Sequence, residues 1–546
     1  MSELTWDAPG PGAWEVDLTH RLRPATVPMQ EMWPAAFEAG FAVTFAGAGM
    51  PLVTLRARYV NGYSYGQAQP VGAPDPKPGR ASGPPPPLVL KVLSRVHPEM
   101  RRRARTAAAA FRDRTWRADA ERWRTVVRPA RIDANLQLQS VDLSSLDDDA
   151  LAAHVLACRD HAASGGREHF SLIGQALPVG DLLVRAASWG IDPDDVVALL
   201  AGASAGTSAG RDRVAAIAAQ LTGDDPRSLD DVRAASPSAA ALLEEYLELY
   251  ANRIVTESDV DGRTLGETPD LVLRTIVAAR GASVSDDHEA RVAKVRAAVP
   301  AEHRDTFDEL LAEARDAYGL REEEVGIDVS WAMGIYRLAL LAAGARLVAL
   351  GRATYVEDVL ELAGDEIVAL LHGASSPTVA DIDARRATRA LAATVTPPPF
   401  LGEGSGAPPP DDVFPPAIAR ATRAFGTFRA RLGATPGGAA LRGHGVGDVI
   451  YRGVACVGDS VEDVIDRLVP GAVLITGITT PAFNAVLPMV GALVTQEGGA
   501  LSHPAIAARE LGIPAVVGAA SALDIPDGAT VTVDPIEGRV TVEVSQ

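Results

Sequence analysis

His503 lies in a setting where a histidine could carry a phosphoryl group. It directly precedes Pro504, which suits the first turn of a helix, and it follows the Gly498-Gly499 pair, which permits a tight turn. The pattern therefore predicts a glycine turn that leads into a helix beginning near His503. The unpaired amides and the dipole of a helix N-terminus favour an anion. We expect a phosphorylated imidazole to be stabilised at this position.

Two neighbours extend this candidate phosphate site. Ser502 immediately precedes the histidine, and Arg509 lies about two helical turns further along the predicted helix. The arginine could add positive charge beside a phosphate. The alternative interpretation is an ordinary capped helix, with Arg509 in a surface ion pair.

Three further histidines are grouped on one predicted helix. His154 and His161 lie on one face with Cys158 between them, and His169 follows. The spacing allows packing histidines in a core, acid–base groups that line an acceptor pocket, or metal ligands. No carboxylate at ligand spacing completes a metal site, so we predict no metal ligands here.

The elements that position these residues belong to more than one domain. The chain has 546 residues, which at roughly 100–200 residues per domain predicts two to four domains. Apolar residues make up 47% and charged residues 22%, as in ordinary globular chains. The formal net charge of −19 disfavours non-specific binding to nucleic acid or to anionic membrane. Two cysteines, Cys158 and Cys456, exclude a disulfide framework and favour a reducing compartment.

We expect a cytoplasmic protein without a membrane span. The N-terminal residues MSELTWDAPGPG lack the basic and apolar regions of a secretory signal. One uncharged run, residues 471–496, is long enough to cross a bilayer, but glycine and proline interrupt it. We predict a strand, a turn, a short helix and a second strand for that run.

Periodicity and composition predict three regions. Residues 1–392 are predicted as a mainly α-helical domain with a small β-rich part at its N-terminus, where Asn61-Gly62 indicates a hairpin. Residues 393–439 are predicted as a proline-rich linker. Residues 440–546, with short β-rich runs between helical pieces, are predicted as a compact α/β domain.

The stretch VTQEGGALSHPAIAARELGIPAVVG, residues 494–518, resembles the swivelling phosphohistidine domain of the phosphoenolpyruvate-utilising enzymes. Those enzymes include pyruvate phosphate dikinase, phosphoenolpyruvate synthase and rifampicin phosphotransferase. Pro504 departs from the family pattern, which more often has Ala or Gly there, but it preserves a helix start. The resemblance implies that His503 is the phosphoryl carrier. The match is carried by Gly498, Gly499, Ser502, His503, Ala505, Ile506, Ala508, Arg509, Glu510, Leu511, Gly512, Ile513, Pro514 and Gly518.

A weaker resemblance links the helical region to the substrate domain of rifampicin phosphotransferase. The segments EARDAYGLREEEV and ANRIVTESDVDGRTLGETPDLVL carry it. The resemblance implies that Arg321 and Glu322 act at the active site and that Arg253 belongs to the acceptor pocket. A guanidinium would stabilise the phosphate and a carboxylate would accept the acceptor's proton. The alternative for Arg321 and Glu322 is a solvated charged run, which Glu323 and Glu324 continue.

Related dikinases also have an ATP-grasp domain, and the N-terminal 90 or so residues are too few for one. We therefore expect ATP and Mg²⁺ to be bound mainly by an ATP-grasp partner subunit. That arrangement resembles two-component phenylphosphate synthase and the 4-hydroxyphenylethanone (acetovanillone) kinases. The resemblance implies transfer from ATP to His503 and on to the hydroxyl of a small aromatic substrate. The alternatives are a split phosphotransferase for rifamycin-type antibiotics and a non-catalytic phosphohistidine carrier.

Overall fold

The structure is a computed structural model that describes residues 4–17, 23–73, 86–200, 202–203, 205–280, 288–403, 409–432, 441–458, 461–479, 483 and 486–543. The chain divides into two compact units. Unit 1 comprises residues 1–174, 259–261 and 327–423, and unit 2 comprises residues 175–258, 262–326 and 424–546.

A small antiparallel sheet lies in unit 1 and confirms the predicted N-terminal β structure. Its strands are β1 (Trp14–Val16), β2 (Leu52–Val60), β3 (Tyr63–Pro70) and β4 (Phe400–Leu401), in the order β2-β3-β1-β4 among the described residues. The predicted hairpin is confirmed: Val60 pairs with Tyr63, and Asn61 and Gly62 both have positive φ. That backbone conformation is what a two-residue turn at Asn-Gly requires.

A helix that the sequence analysis did not predict lies between β1 and β2. It is α1 (Val27–Gly47), and the Thr26 hydroxyl accepts a hydrogen bond from the Met29 amide at its N-terminus. Its phenylalanines Phe37 and Phe41 pack on Phe170, with ring centroids 4.7 and 5.3 Å away. Because apolar residues occupy most of its circumference, the segment shows no clear helical periodicity.

The remaining helices of unit 1 confirm the helical prediction for this part of the chain. Trp116 and Trp123, seven residues apart in the chain, are both buried. These helices are α2 (Pro87–Val96), α3 (Pro98–Asp113), α4 (Trp116–Arg122), α5 (Arg128–Gln139), α6 (Asp148–Ser171), α15 (Ala332–Ala349), α16 (Gly364–Leu371) and α17 (Val379–Ala392).

Unit 2 combines helices with the C-terminal sheet. Its helices are α7 (Ala176–Ser188), α8 (Pro193–Ala198), α9 (Ala205–Ala218), α10 (Leu229–Ala235), α11 (Pro237–Tyr250), α12 (Pro269–Ala279), α13 (His288–Ala298), α14 (Arg304–Glu324), α19 (Val461–Val464) and α20 (His503–Leu511). Helix α18 (Pro416–Ala430) begins in the residues of unit 1 and ends in those of unit 2. Among the described residues, two π-helical segments, Trp123–Val127 and Val325–Trp331, interrupt the α-helical runs.

The C-terminal α/β prediction is confirmed by a seven-stranded sheet in the described part of unit 2. Four central strands are parallel, and antiparallel strands flank them on both sides. In the order β11-β10-β6-β7-β8-β9-β5, the strands are β5 (His444–Val446), β6 (Tyr451–Val457), β7 (Val473–Thr476), β8 (Ala492–Thr495), β9 (Ala515–Val517), β10 (Thr530–Asp534) and β11 (Arg539–Val542).

Alternate residues of the central strands serve two separate cores. Val473 and Ile475 join a cluster with Val531 of β10, whereas Leu474 faces a cluster that includes Ile217 of α9. Side chains on a strand alternate between faces, so the fully apolar sequence of β7 matches burial on both sides. One face of the sheet therefore packs directly on the helices of unit 2.

The segment predicted as a linker, residues 393–439, contains regular structure. Strand β4 and the whole of helix α18 fall within it, together with a short 3-10 turn at Asp411–Val413. Residues 404–408 and 433–439 lie outside the described part of the chain. The domain boundaries at 392/393 and 439/440 stay a prediction.

Within the part of the chain that the structure describes, two helical stretches, Asp148–Ser188 and Ala301–Ala349, are long and apolar enough to cross a membrane by length and composition. Their most apolar windows are 67% and 61% buried inside the protein, which is also typical of core helices. The uncharged run 471–496 instead contains β7, β8 and a 3-10 turn at Leu487–Met489, as predicted for its described residues.

Candidate functional site

The candidate site lies where two parallel strands end. Strands β7 and β8 are paired in parallel, with Thr476 opposite Thr495 at their last residues. Thr479 follows the first strand, and the loop that leads to His503 follows the second. Because the carboxyl ends of parallel strands meet at one edge of a sheet, the two loops converge there.

Gly498 and Ser502 shape the loop before the histidine. Gly498 has φ +117°, and a Cβ at this position would lie 2.7 Å from the Ser502 Oγ. Ser502 is the N-cap residue of α20, but its hydroxyl donates to the Gly499 carbonyl at 2.7 Å instead of accepting from a helix amide. The predicted glycine turn is confirmed, and the serine stabilises that turn.

His503 is the first residue of α20, with Pro504 in the first turn, as predicted. The side chain is half-buried, and its Nδ1 lies 2.9 Å from the Oγ1 of the buried Thr479. This contact fixes the orientation of the imidazole ring. When the threonine oxygen accepts the Nδ1 proton, the basic nitrogen of the neutral ring is Nε2.

Arg509 binds the backbone on both sides of the histidine. Its guanidinium donates to the Ala500 carbonyl at 2.5 Å and to the Ala505 carbonyl at 3.3 Å. A third contact joins its Nη2 to the Nε2 of His444 at 3.2 Å. Burial lowers the pKa of Arg509. Two of these contacts hold the backbone on either side of His503, and the third links the arginine to strand β5.

The residues implied by the weaker resemblance lie in the same unit as His503. Arg321 is on α14, and its Cζ lies 5.2 Å from the ring centroid of Phe428. Phe428 belongs to a cluster that also contains Leu501 of the His503 loop. Arg321 thus packs on a residue of the same buried cluster as Leu501. The side chain of Glu322 lies outside the described residues.

Arg253 lies just beyond α11 and packs on an aromatic pair. Its Cζ is 4.0 Å from the ring centroid of Tyr250, and Tyr250 stacks on Tyr246. A Cβ at Gly326 would come within 2.8 Å of the Arg253 guanidinium, so the backbone approaches closely there. The pKa of Arg253 is lowered, and burial contributes most to that change.

His154, His161 and His169 are on α6 in unit 1, whereas His503, Arg321 and Arg253 are in unit 2. His154 Nε2 lies 3.4 Å from the Cys158 Sγ, and burial lowers the pKa of His154. The ring of His169 contacts the Phe170 ring edge-on at 4.8 Å between centroids. These contacts are those of packed side chains.

His161 belongs to a buried polar network. Its Nδ1 lies 3.0 Å from an Arg131 guanidinium nitrogen, and its Nε2 lies 2.8 Å from the Asn135 Oδ1. Arg131 in turn binds Asp328, which also accepts from the Trp123 indole at 3.0 Å. Burial and the Arg131 charge lower the pKa of His161 to about 4. Within the described residues, no group of three or more His, Cys, Asp or Glu side chains is arranged to hold a metal ion.

Three residues at the site were missed by the sequence analysis: Thr479, His444 and Asp194. His444 Nδ1 lies 3.2 Å from an Asp194 carboxylate oxygen, and Arg431 forms an ion pair with the same carboxylate. A signal existed for Thr479, because it follows a buried strand that neighbours the one before His503. No local pattern points to Asp194, which lies about 300 residues away in the sequence.

Comparison with known proteins assigns the C-terminal segment. Residues 468–538 match the family "PEP-utilising enzyme, mobile domain", and this range includes His503 and all of α20. Phosphoenolpyruvate synthase of Aquifex aeolicus is 43% identical over 100 residues, covering 18% of this chain and 12% of that protein. The uncharacterised phosphotransferase YvkC of Bacillus subtilis is 44% identical over 77 residues, covering 14% and 9%.

A longer match extends into the helical region. An uncharacterised protein of Mycobacterium tuberculosis is 27% identical over 434 residues, covering 76% of this chain and 44% of that protein. The chain therefore spans less than half the length of that relative. Together the matches show that residues 468–538 are similar to the mobile domain of phosphoenolpyruvate-utilising enzymes and phosphotransferases.

Proposed function

We propose that this chain is the histidine-bearing subunit of an ATP-dependent phosphotransferase that acts on an aromatic hydroxyl. His503 is the phosphoryl carrier, and ATP with Mg²⁺ is bound by a separate ATP-grasp subunit. The observation that carries the proposal is the geometry of His503: the ring is fixed through Nδ1 at the start of α20, inside the matched mobile domain.

The chemistry has two transfers. First, Nε2 of His503 attacks the β-phosphorus of ATP, the P–O bond to AMP breaks, an N–P bond forms, and AMP leaves. Water cleaves the β–γ bond and releases the γ-phosphate as inorganic phosphate. The phosphoryl group then lies near the positive end of the α20 dipole. Second, the acceptor hydroxyl attacks the phosphorus, the N–P bond breaks, and the hydroxyl proton passes to a base.

The helices of unit 2 supply the acceptor side in this proposal. Arg321 packs on Phe428, which belongs to the same buried cluster as Leu501 of the His503 loop, and its guanidinium is proposed to neutralise the transferred phosphate. Glu322, the next residue, is the proposed base. A phenol has a pKa near 10, and an acyl group on the ring lowers that value, so a carboxylate can serve as the base. In this proposal the protein is cytoplasmic.

The test uses the full chain, a candidate ATP-grasp subunit and β-³²P-ATP, with 4-hydroxyphenylethanone as acceptor. We expect acid-labile label on the wild type, none on His503→Ala, and normal label on His372→Ala, which changes a histidine on the surface of unit 1. Addition of the phenol should then discharge the label.

Other results would change the proposal in defined ways. Discharge by a rifamycin and not by the phenol would favour the split antibiotic phosphotransferase. A stable label that no hydroxyl compound removes would favour a phosphohistidine carrier. Equal labelling of wild type and His503→Ala would overturn the assignment of His503.

A further inference from the structure

A chain of polar contacts links the His503 loop to a helix outside the C-terminal sheet. Asp194 is the second residue of α8, and its carboxylate lies 3.2 Å from Nδ1 of His444 on β5. Nε2 of His444 lies 3.2 Å from Arg509, which binds the Ala500 carbonyl. The contacts therefore run from a helical carboxylate to the backbone just before His503.

The hydrogen-bond roles along this chain are determined by chemistry. A guanidinium can only donate, so His444 must accept from Arg509 through Nε2. Its Nδ1 then carries the proton and donates to Asp194. In this form His444 makes both hydrogen bonds at once, one to Asp194 and one from Arg509. The position of the Asp194 carboxylate therefore fixes the position of the Arg509 guanidinium.

The Asp194 carboxylate is held ionised and in place by its neighbours. The hydrogen bond from His444 is the largest cause that lowers its pKa, and the charges of Arg431 and Arg509 act in the same direction. Arg431 pairs with the other carboxylate oxygen. Because two elements share this carboxylate, Asp194 fixes the end of α18 and strand β5 relative to each other.

The same place in the structure contains two backbone hydrogen bonds to the loop. The Leu501 amide donates to the Arg431 carbonyl at 2.8 Å, and the Gly499 amide donates to the Leu432 carbonyl at 3.2 Å. Asp194 thus fixes Arg431, whose backbone carbonyl accepts the hydrogen bond from the Leu501 amide. Both routes from Asp194 end within four residues of His503.

We propose that Asp194 is a positioning residue for phosphoryl transfer, which fixes the His503 loop through His444–Arg509 and through Arg431 when the histidine-bearing sheet is docked on the helices of unit 2. This inference rests on the proposed function for its catalytic consequence. Its structural consequence, an ordered loop, does not depend on any substrate.

The experiment compares Asp194→Asn with Asp195→Asn in the full chain. Asp195 is the next residue of α8 and is exposed, so its variant loses the same charge from the same helix. Hydrogen exchange measured by mass spectrometry reports on short peptides that contain Gly499 and Leu501. We expect exchange about tenfold faster in Asp194→Asn, which corresponds to one charge-assisted hydrogen bond, and wild-type exchange in Asp195→Asn.

Phosphoryl transfer gives the second measurement. Discharge of labelled His503 to 4-hydroxyphenylethanone should show a kcat about tenfold lower in Asp194→Asn, with KM for the phenol unchanged. Asp194→Glu, which keeps the carboxylate, should recover part of that loss. A thermal unfolding midpoint equal to that of Asp195→Asn would exclude a general loss of stability.

The measurements test the positioning role of Asp194 and the proposed function of His503 separately. Unchanged exchange at Gly499 and Leu501 in Asp194→Asn would overturn the positioning role, whatever the label does. Faster exchange with unchanged kcat would also overturn it, because the loop order would then not serve transfer. Failure to label wild-type His503 would overturn the proposed function, while the exchange data would still decide whether Asp194 orders the loop.

Discussion

At the scale of single residues, the orientation of the His503 imidazole depends on the hydroxyl of Thr479. Thr479 is buried, and its Oγ1 lies 2.9 Å from Nδ1 of the histidine. A histidine whose Nδ1 is bound presents a defined tautomer and ring orientation to a reacting atom. Thr479 is therefore expected to matter for rate although it transfers no group.

Thr479→Val removes the hydroxyl and keeps the shape of the side chain. We expect labelling of His503 to slow about five- to tenfold, since a neutral hydrogen bond contributes about 1 kcal/mol. Thr479→Ser keeps the hydroxyl and should remain close to the wild type. Rapid-quench measurement of the labelling rate checks both variants, and an unaffected Thr479→Val would show that the contact does not orient the ring.

His161 makes the stability of the protein depend on pH. Its folded-state pKa is about 4, against an ordinary value of 6.5, with burial as the first cause and the Arg131 charge as the second. Below 6.5 the unfolded chain binds a proton that the folded chain does not, so stability is expected to fall as pH decreases from 6.5 towards 4.

The measurement is the urea midpoint at about pH 7.5 and about pH 5, on either side of the ordinary histidine pKa. His161→Gln should reduce the difference between the two midpoints, whatever its effect at neutral pH. His372→Gln, a change at a more exposed histidine, serves as the control. A wild-type difference that survives in His161→Gln would assign the pH dependence to other groups.

At the scale of elements, the His503 site forms where two strands end and one helix begins. Strands β7 and β8 bring two loops to one edge of the sheet, and α20 begins where the second loop ends. Gly512, with φ +68°, ends that helix and directs the chain into β9. The positive-φ glycines at 498 and 512 thus bracket the element that bears His503.

Gly498→Ala should disrupt this loop. Its φ of +117° is strained for any residue with a Cβ, and that Cβ would lie 2.7 Å from the Ser502 hydroxyl oxygen. We expect a loss of about 1–3 kcal/mol of unfolding free energy together with slower labelling of His503. Chemical denaturation and the labelling assay measure the two effects.

Gly426→Ala provides the matched control. Gly426 is inside α18, and a Cβ there meets no atom within 4 Å. Because alanine favours a helix interior over glycine, this variant should be neutral or more stable by up to about 1 kcal/mol. Equal behaviour of the two variants would contradict the strain argument for Gly498.

At the scale of the whole molecule, each compact unit is built from separated stretches of chain. Residues 259–261 belong to unit 1, although the residues on both sides of them belong to unit 2. Asp259 explains this assignment, because its carboxylate accepts from the Thr26 amide and the Thr26 hydroxyl, both at 2.8 Å. A distant residue therefore secures the start of α1.

Asp259→Asn should destabilise unit 1. Each carboxylate oxygen accepts from one backbone amide, Thr26 or Val260, and asparagine keeps only one oxygen. One buried amide therefore loses its partner at a cost of about 1–3 kcal/mol. Asp270→Asn changes an exposed aspartate in the first turn of α12 and should have little effect. Denaturation followed by tryptophan fluorescence compares them, and equal midpoints would contradict the role assigned to Asp259.

The sequence by itself determined those features that depend on neighbouring residues. The turn at Gly498, the helix start at His503 and the Asn61-Gly62 hairpin all follow from local conformational preferences. The α/β character of the C-terminal region followed from its short apolar runs. Helix α1 escaped prediction because its apolar residues occupy most of its surface and leave no period to detect.

Only the tertiary structure decided which distant residues meet. Thr479 reaches His503 because two parallel strands end together, and Asp194 reaches His444 because α8 lies beside β5. The interleaving of the two units likewise depends on side chains such as Asp259, more than 200 positions from its partner Thr26. These contacts arise from packing between distant parts of the chain, and local sequence patterns do not predict them.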